Sequence, residues 1–271
     1  MTISHHRLRT IARAAALATA SLLLAPSAFA QAFDAVRLYG AAPGTDGGLA
    51  GLALIAGTQY AGSDERRTLL PLLDYQWRNG WFAGTANGLG FNFASRPDLQ
   101  YGLRITGDFG RKAKRSTVLT GMGDIGAKAE FGGFFNYALT HEVFLSSSLR
   151  YGAGDHSNGL VVDLGAGYST SLAPRWRLGV GGAVSFINAG YGQSYFGVTA
   201  AQAVSSGHPR YTPGAGLRNA RANLALTYQI NARTSATAVL SSSTLLGDVK
   251  NSPLVRQQTT VNGVLGLSYG F

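Results

Sequence analysis

Cysteine is absent from this 271-residue chain. That excludes disulfide stapling, thiolate metal sites, thiol catalysis and a lipid anchor on cysteine. Charge is scarce as well: Asp, Glu, Lys and Arg make up 13% of the residues, where soluble domains carry about 25%. Long apolar runs are also missing. The apolar segment at 14–25 has 12 residues, short of the roughly 20 that a spanning helix needs. The charge-free stretch 180–207 is broken by Gly, Ser, Thr, Gln and Asn. No block of five or six like charges occurs, so a solvated charged tail is excluded.

The first thirty residues read as a cleaved secretory signal. Arg7, Arg9 and Arg13 precede the apolar segment, Pro26 breaks it, and Ala28-Phe29-Ala30 supplies a small-x-small cleavage pattern. Cleavage there starts the mature chain at Gln31. Without those three arginines, 20 basic residues face 13 acidic ones, a net charge near +7. Basic loops on an exported chain point to lipid and an acidic, lipopolysaccharide-rich surface, and away from nucleic acid.

What the chain does have is alternation with period two. In 221–230, Ala222, Leu224, Leu226, Tyr228 and Ile230 form one face, and Arg221, Asn223, Ala225, Thr227 and Gln229 the other. The segments 99–109, 127–139, 143–151, 160–169 and 176–186 repeat the pattern. They run about 10 to 13 residues, against five or six in ordinary strands and about 9 to 11 in strands crossing a bilayer. Aromatic residues sit near the ends of apolar faces: Trp77, Trp81, Tyr137, Tyr151, Tyr168, Trp176, Tyr228 and Tyr269. Rings so placed suit membrane interfaces. From residue 95 onward, tight turns alternate with long loops at 110–126, 152–159, 189–216 and 247–259.

Backbone groups in lipid find no other partners, so such a sheet must close on itself. The expected fold is all-β: an antiparallel transmembrane barrel of about 12 strands, with 10 to 14 admitted by the N-terminal pattern. Short turns face the periplasm and long loops the exterior. Residues 31–271 form one barrel domain. The strands are expected at 49–60, 67–77, 81–85, 89–94, 99–109, 126–139, 142–152, 159–171, 176–188, 217–230, 233–246 and 259–271.

Polar faces would send Asp74, Arg104, Asp108, Lys128, Glu130, Arg150, Asp163, Arg177 and Arg221 into the lumen. A mutually neutralised interior accounts for them, and so does the lining of a solute channel. Asp155-His156-Ser157 invites comparison with a hydrolase, but three consecutive residues cannot reproduce a triad whose members meet from separate segments. No catalytic residue, metal site or cofactor site is assigned. The basic cluster Arg111-Lys112-Ala113-Lys114-Arg115 belongs to a long loop, either as a solvated face or in contact with lipid phosphates. At the other end of the chain, Tyr269 and Phe271 lie on the lipid face of the last strand. They resemble the recognition signal read by the outer-membrane assembly machinery.

Several stretches together resemble the MipA/OmpV family. These are Tyr60-Ala61-Gly62-Ser63-Asp64 with Leu69-Leu70-Pro71 and Trp81-Phe82, Gly121-Met122-Gly123-Asp124-Ile125, and Gln193-Ser194-Tyr195-Phe196-Gly197-Val198-Thr199. Gln202, Ser206-Gly207, Tyr211 and Gly214-Ala215-Gly216 continue the last of these. Leu245-Leu246-Gly247-Asp248 and Ser252-Pro253-Leu254-Val255 precede the final strand. Gln59-Tyr60-Ala61 departs slightly from the family's opening. The resemblance implies a non-enzymatic outer-membrane barrel. By the same resemblance it is expected to act as a scaffold joining a murein hydrolase, a lytic transglycosylase, to a peptidoglycan synthase, or as a porin-like or adhesive surface protein. It brings no catalytic residues with it.

Overall fold

The computed structural model describes residues 44–61 and 66–271. The signal segment, the mature start at Gln31 and Gly62-Ser63-Asp64 lie outside them. Twelve strands close into one antiparallel barrel. They are β1 (Gly47–Gly57), β2 (Arg66–Gln76), β3 (Trp81–Gly84), β4 (Gly88–Asn92), β5 (Leu99–Asp108) and β6 (Lys128–Ala138), then β7 (Val143–Ala153), β8 (Gly159–Ala173), β9 (Trp176–Ile187), β10 (Gly216–Gln229), β11 (Thr234–Leu245) and β12 (Thr259–Gly270). Each strand pairs with its sequence neighbours, and β12 returns to β1. Both the number of strands and their positions agree with the alternation.

Alternation becomes inside and outside. Along β12, Val261, Leu265, Leu267 and Tyr269 stand on the outer wall, while Val264 and Ser268 are buried. The outer wall is apolar all round: Leu103, Phe131 and Leu265 are each more than 60% exposed. Apolar exposure on this scale is untenable in water and natural in lipid. Near the short-turn end the wall carries rings. Trp81, Phe91, Phe93 and Tyr101 form a chain with successive centroids 5.4, 5.2 and 5.9 Å apart, and Trp176 lies 4.8 Å from Tyr228. Among the described residues no helix is long and apolar enough to cross a membrane; the strands are the crossing elements.

The closing seam is regular. Nine residue pairs join β1 to β12, from Leu49 opposite Gly270 to Gly57 opposite Asn262. Beyond them the Gly48 amide donates to the Phe271 carbonyl at 2.8 Å, and the Phe271 amide returns a bond to Gly48 at 3.0 Å. The Phe271 ring stacks on Tyr75 of β2, with centroids 6.1 Å apart.

One region departs from the expected loops. The connection between β9 and β10 contains two short helices, α1 (Ala189–Phe196) and α2 (Ala200–Ser206). Asn188 caps α1 by accepting from the Tyr191 amide, and Thr199 with Gln202 forms a capping box on α2. Both helices are too short to be stable alone; α1 is held by its buried contacts and α2 by bonds to the 117–123 segment.

Candidate functional site

The lumen contains two connected assemblies. The first is a belt of charges across β5, β6, β7, β8 and β10. Asp163 sits at its centre: Arg150 reaches one carboxylate oxygen and Arg221 the other, each at 2.9 Å. Ser185, opposite Asp163 in the strand register, adds a hydroxyl hydrogen bond. Arg150 also lies 3.4 Å from Glu130. Arg104 donates to Ser148 at 2.7 Å, and its guanidinium lies over the Phe134 ring. Period-two spacing sets these side chains on inner faces, and register brings them level.

Of the nine charges expected in the lumen, the belt takes Arg104, Glu130, Arg150, Asp163 and Arg221. Asp108 lies above it, beneath α1. Lys128 is opposite Asp108 in register and half-buried. Asp74 sits apart on β2, accepting from Asn87 at 3.1 Å. Arg177 is exposed near the short-turn end.

The second assembly is a lid built from the long loops. Asp108 is its hinge point. Its carboxylate accepts the amides of Gly110 at 3.0 Å and Gly154 at 3.1 Å, and the hydroxyl of Tyr195 on α1. Burial pushes the Tyr195 phenol well above its ordinary range, so it stays a donor. The Tyr195 carbonyl accepts from Arg111 at 2.8 Å and from the Tyr60 hydroxyl at 3.3 Å. Ser252 donates to the Phe196 carbonyl at 2.6 Å. Tyr191, Tyr195 and Phe196 pack with Ile125, Ile187 and Val249 into an apolar core within the barrel mouth.

α2 continues the lid. Gln202 donates to the Met122 carbonyl at 2.9 Å and Ser205 to the Gly121 carbonyl at 2.6 Å. A ring nitrogen of His208 lies 2.7 Å from the Val118 carbonyl. Tyr211 donates to the Asp248 carbonyl at 2.6 Å, and the Asp248 side chain accepts from the Gly214 amide at 3.1 Å. Apart from Leu69-Leu70-Pro71 on β2 and Trp81-Phe82 on β3, the described residues of the family-like blocks therefore share a physical meaning. Tyr60, 121–125, 193–199, Gln202, Tyr211, Gly214, Asp248 and Ser252 are the parts that fasten the lid together.

A cavity of about 130 Å³ lies between α1, the segment 58–61 that follows β1, and the wall of β10, β11 and β12. Three members of the loop cluster, Arg111, Lys112 and Arg115, line it. Lys112 pairs with Asp124 at 3.0 Å. The Ala113 amide, with Lys112, holds the Asp124 carboxyl below the usual carboxylate range. Arg218 also lines the cavity, and alternation alone misses it. Continuing the outward face of Ala222, Leu224 and Leu226 back along β10 would turn Arg218 into lipid. A bulge between Leu217 and Asn219 resets the register and leaves Arg218 buried. Its guanidinium donates to the Tyr191 hydroxyl at 2.8 Å and to Asn219 at 3.2 Å. In contrast, Asp155, His156 and Ser157 occupy an exposed turn, and no side-chain hydrogen bond links them among the described residues.

A closed barrel with an apolar outer wall, a charged interior and one mouth covered by its own loops defines a transmembrane β-barrel of the outer-membrane type. Within that class the chain belongs to the family described as MltA-interacting protein MipA, whose model matches residues 50–271. No curated protein matches the chain. Distantly similar solved structures are porins and channels. The NanC porin is 9% identical over 80% of this chain and 98% of its own, with a TM-score of 0.44. The KdgM porin is 8% identical over 82% and 99%, also at 0.44. An outer membrane channel from Pseudomonas putida F1 is 12% identical over 87% and 98%, at 0.45. Family and barrel architecture support an outer-membrane location.

Proposed function

We propose that this chain is a non-enzymatic outer-membrane barrel that holds cell-wall enzymes at the membrane, joining a murein hydrolase to a peptidoglycan synthase. The observation behind this reading is the covered mouth. α1 is tied to the loops at 58–61, 109–127, 154–158 and 246–258. A barrel closed in this way is poorly suited to open diffusion and leaves its periplasmic end for contacts. The family description, MltA-interacting protein, supports the same reading.

The contact surface is formed by the short turns with Arg96, His141, Arg175 and Arg233. Arg96 is held by Asp98 at 2.5 Å, and Arg233 donates to the Tyr269 hydroxyl at 3.1 Å. Pull-down of a lytic transglycosylase from detergent extracts tests it. Retention at low salt that is lost on Arg175→Glu and Arg233→Glu is the expected result. No retention at low salt removes the reading.

One observation favours a second reading, a selective channel: basic residues line the cavity beside the lid. Planar-bilayer recording separates the two, because a channel conducts and a pure scaffold does not.

A further inference from the structure

Among the described residues, the cavity beside α1 is lined by five basic side chains, Arg111, Lys112, Arg115, Arg218 and Arg221, and by no acidic one. Two of the five are neutralised from behind, Lys112 by Asp124 and Arg221 by Asp163. Among the described residues, Arg111, Arg115 and Arg218 make no ion pair. Arg218 is the most constrained, at 3% exposure. Burying a guanidinium without a counter-charge is unfavourable.

The groups around Arg218 supply that charge only in part, since Asp163 feels Arg218 but is shared with two other guanidinium groups. Burial pushes the Tyr191 phenol up to about 12, so the ring that accepts from Arg218 remains neutral. Asn219 is neutral as well. Asp163 already takes Arg150, Arg221 and Ser185. Meanwhile, among the described residues, Nη2 of Arg218, Nε of Arg111 and Nδ2 of Asn223, all on side chains lining the cavity, are buried donors without a partner, Asn223 being 5% exposed. Unpaired buried donors call for an acceptor.

We propose that this cavity is a binding site for small carboxylate anions, held by Arg218 and Asn223 from the wall and by Arg111 from the loop. A carboxylate has two oxygens with several acceptor positions, and its plane matches the guanidinium fork. The volume suits an anion of about four to six heavy atoms, the space of roughly four waters. The bulge in β10 is the device that makes the site, since without it Arg218 would face lipid.

The test is calorimetric titration of the full barrel in detergent. Lactate is the probe, lactamide the neutral isostere and phosphate the competing oxyanion. Lactate should bind saturably, lactamide should not bind, and phosphate should bind more weakly than lactate. Arg218→Met should weaken lactate by about tenfold or more, as expected on removing a charge-assisted hydrogen bond. Heat-modifiable gel migration reports whether each variant is folded. If Arg218→Met does not fold, Arg111→Gln and Asn223→Ala provide the same comparison. Absence of lactate binding to the folded barrel overturns the assignment. So does equal binding of lactamide, a preference for phosphate, or unchanged affinity in every folded variant. The site does not rest on the scaffold reading, and the pull-down and the titration can fail separately.

Discussion

At the residue scale, Asp163 decides whether the interior is tolerable. Arg150 and Arg221 both lie 2.9 Å from its oxygens, and all three are buried. Asp163→Asn keeps the shape but removes the charge that the two buried guanidinium groups share. Removing one member of a buried ionic group typically costs about 3–5 kcal/mol. Denaturant unfolding of the detergent-solubilised barrel should show a loss of that size. A change below about 1 kcal/mol would mean that water reaches the belt freely, as for exposed pairs. Asp163 and its partners could be read from the sequence because each falls on the polar face of an alternating strand. Arg218 could not: one bulged residue reverses its side, and period-two reasoning has no term for a bulge.

At the element scale, the strands follow from pattern and the lid does not. β10 and β12 display their inner and outer faces in the order of their residues. α1 carries two glycines in eight residues, and α2 has seven residues. Neither is long enough for helical periodicity to emerge. In retrospect, Asn188 and the Thr199–Gln202 box mark the two helix starts. Where the helices lie depends on contacts far away in sequence, such as Tyr195 with Asp108 and Ser205 with Gly121. Gly121 tests that arrangement. Its φ is +78°, and a Cβ added there would come 2.3 Å from the Ser205 carbonyl oxygen. Gly121→Ala should therefore lift α2 from the 117–123 segment without opening the barrel. Faster proteolysis within 198–211, with unchanged heat-modifiability, is the expected outcome. Equal protease resistance would show that α2 is held by other contacts.

The same reasoning reaches the seam. Phe271 exchanges two backbone bonds with Gly48 and lays its ring on Tyr75. Phe271→Asp would put a carboxylate on the lipid side of that closure. If the ring also serves as the assembly signal, outer-membrane levels of the variant should fall sharply. Normal levels would separate seam closure from recognition.

At the scale of the whole molecule, the apolar outer wall makes a claim that fold alone does not. Leu265 is 62% exposed on that wall, opposite Leu54 and Ala238 in the register. If water surrounded the barrel, Leu265→Arg would be nearly neutral, since the side chain packs against little and the charge would be solvated. In a bilayer the same change puts a guanidinium against acyl chains, at a cost of about 2–4 kcal/mol near the midplane and much less toward either interface. Thr234, near the short-turn end of β11 and opposite Tyr269, lies close to an interface and serves as the control. Unfolding of Leu265→Arg and Thr234→Arg in lipid vesicles should differ by about 2 kcal/mol or more, with Leu265→Arg the less stable. The same pair in detergent should differ less, because a micelle deforms around a charge more readily than a bilayer. A depth-dependent penalty would mean that the alternation read from the sequence is an alternation between lipid and lumen. Equal stability in vesicles would place the wall against something other than lipid, and the barrel would then need a protein partner to cover it.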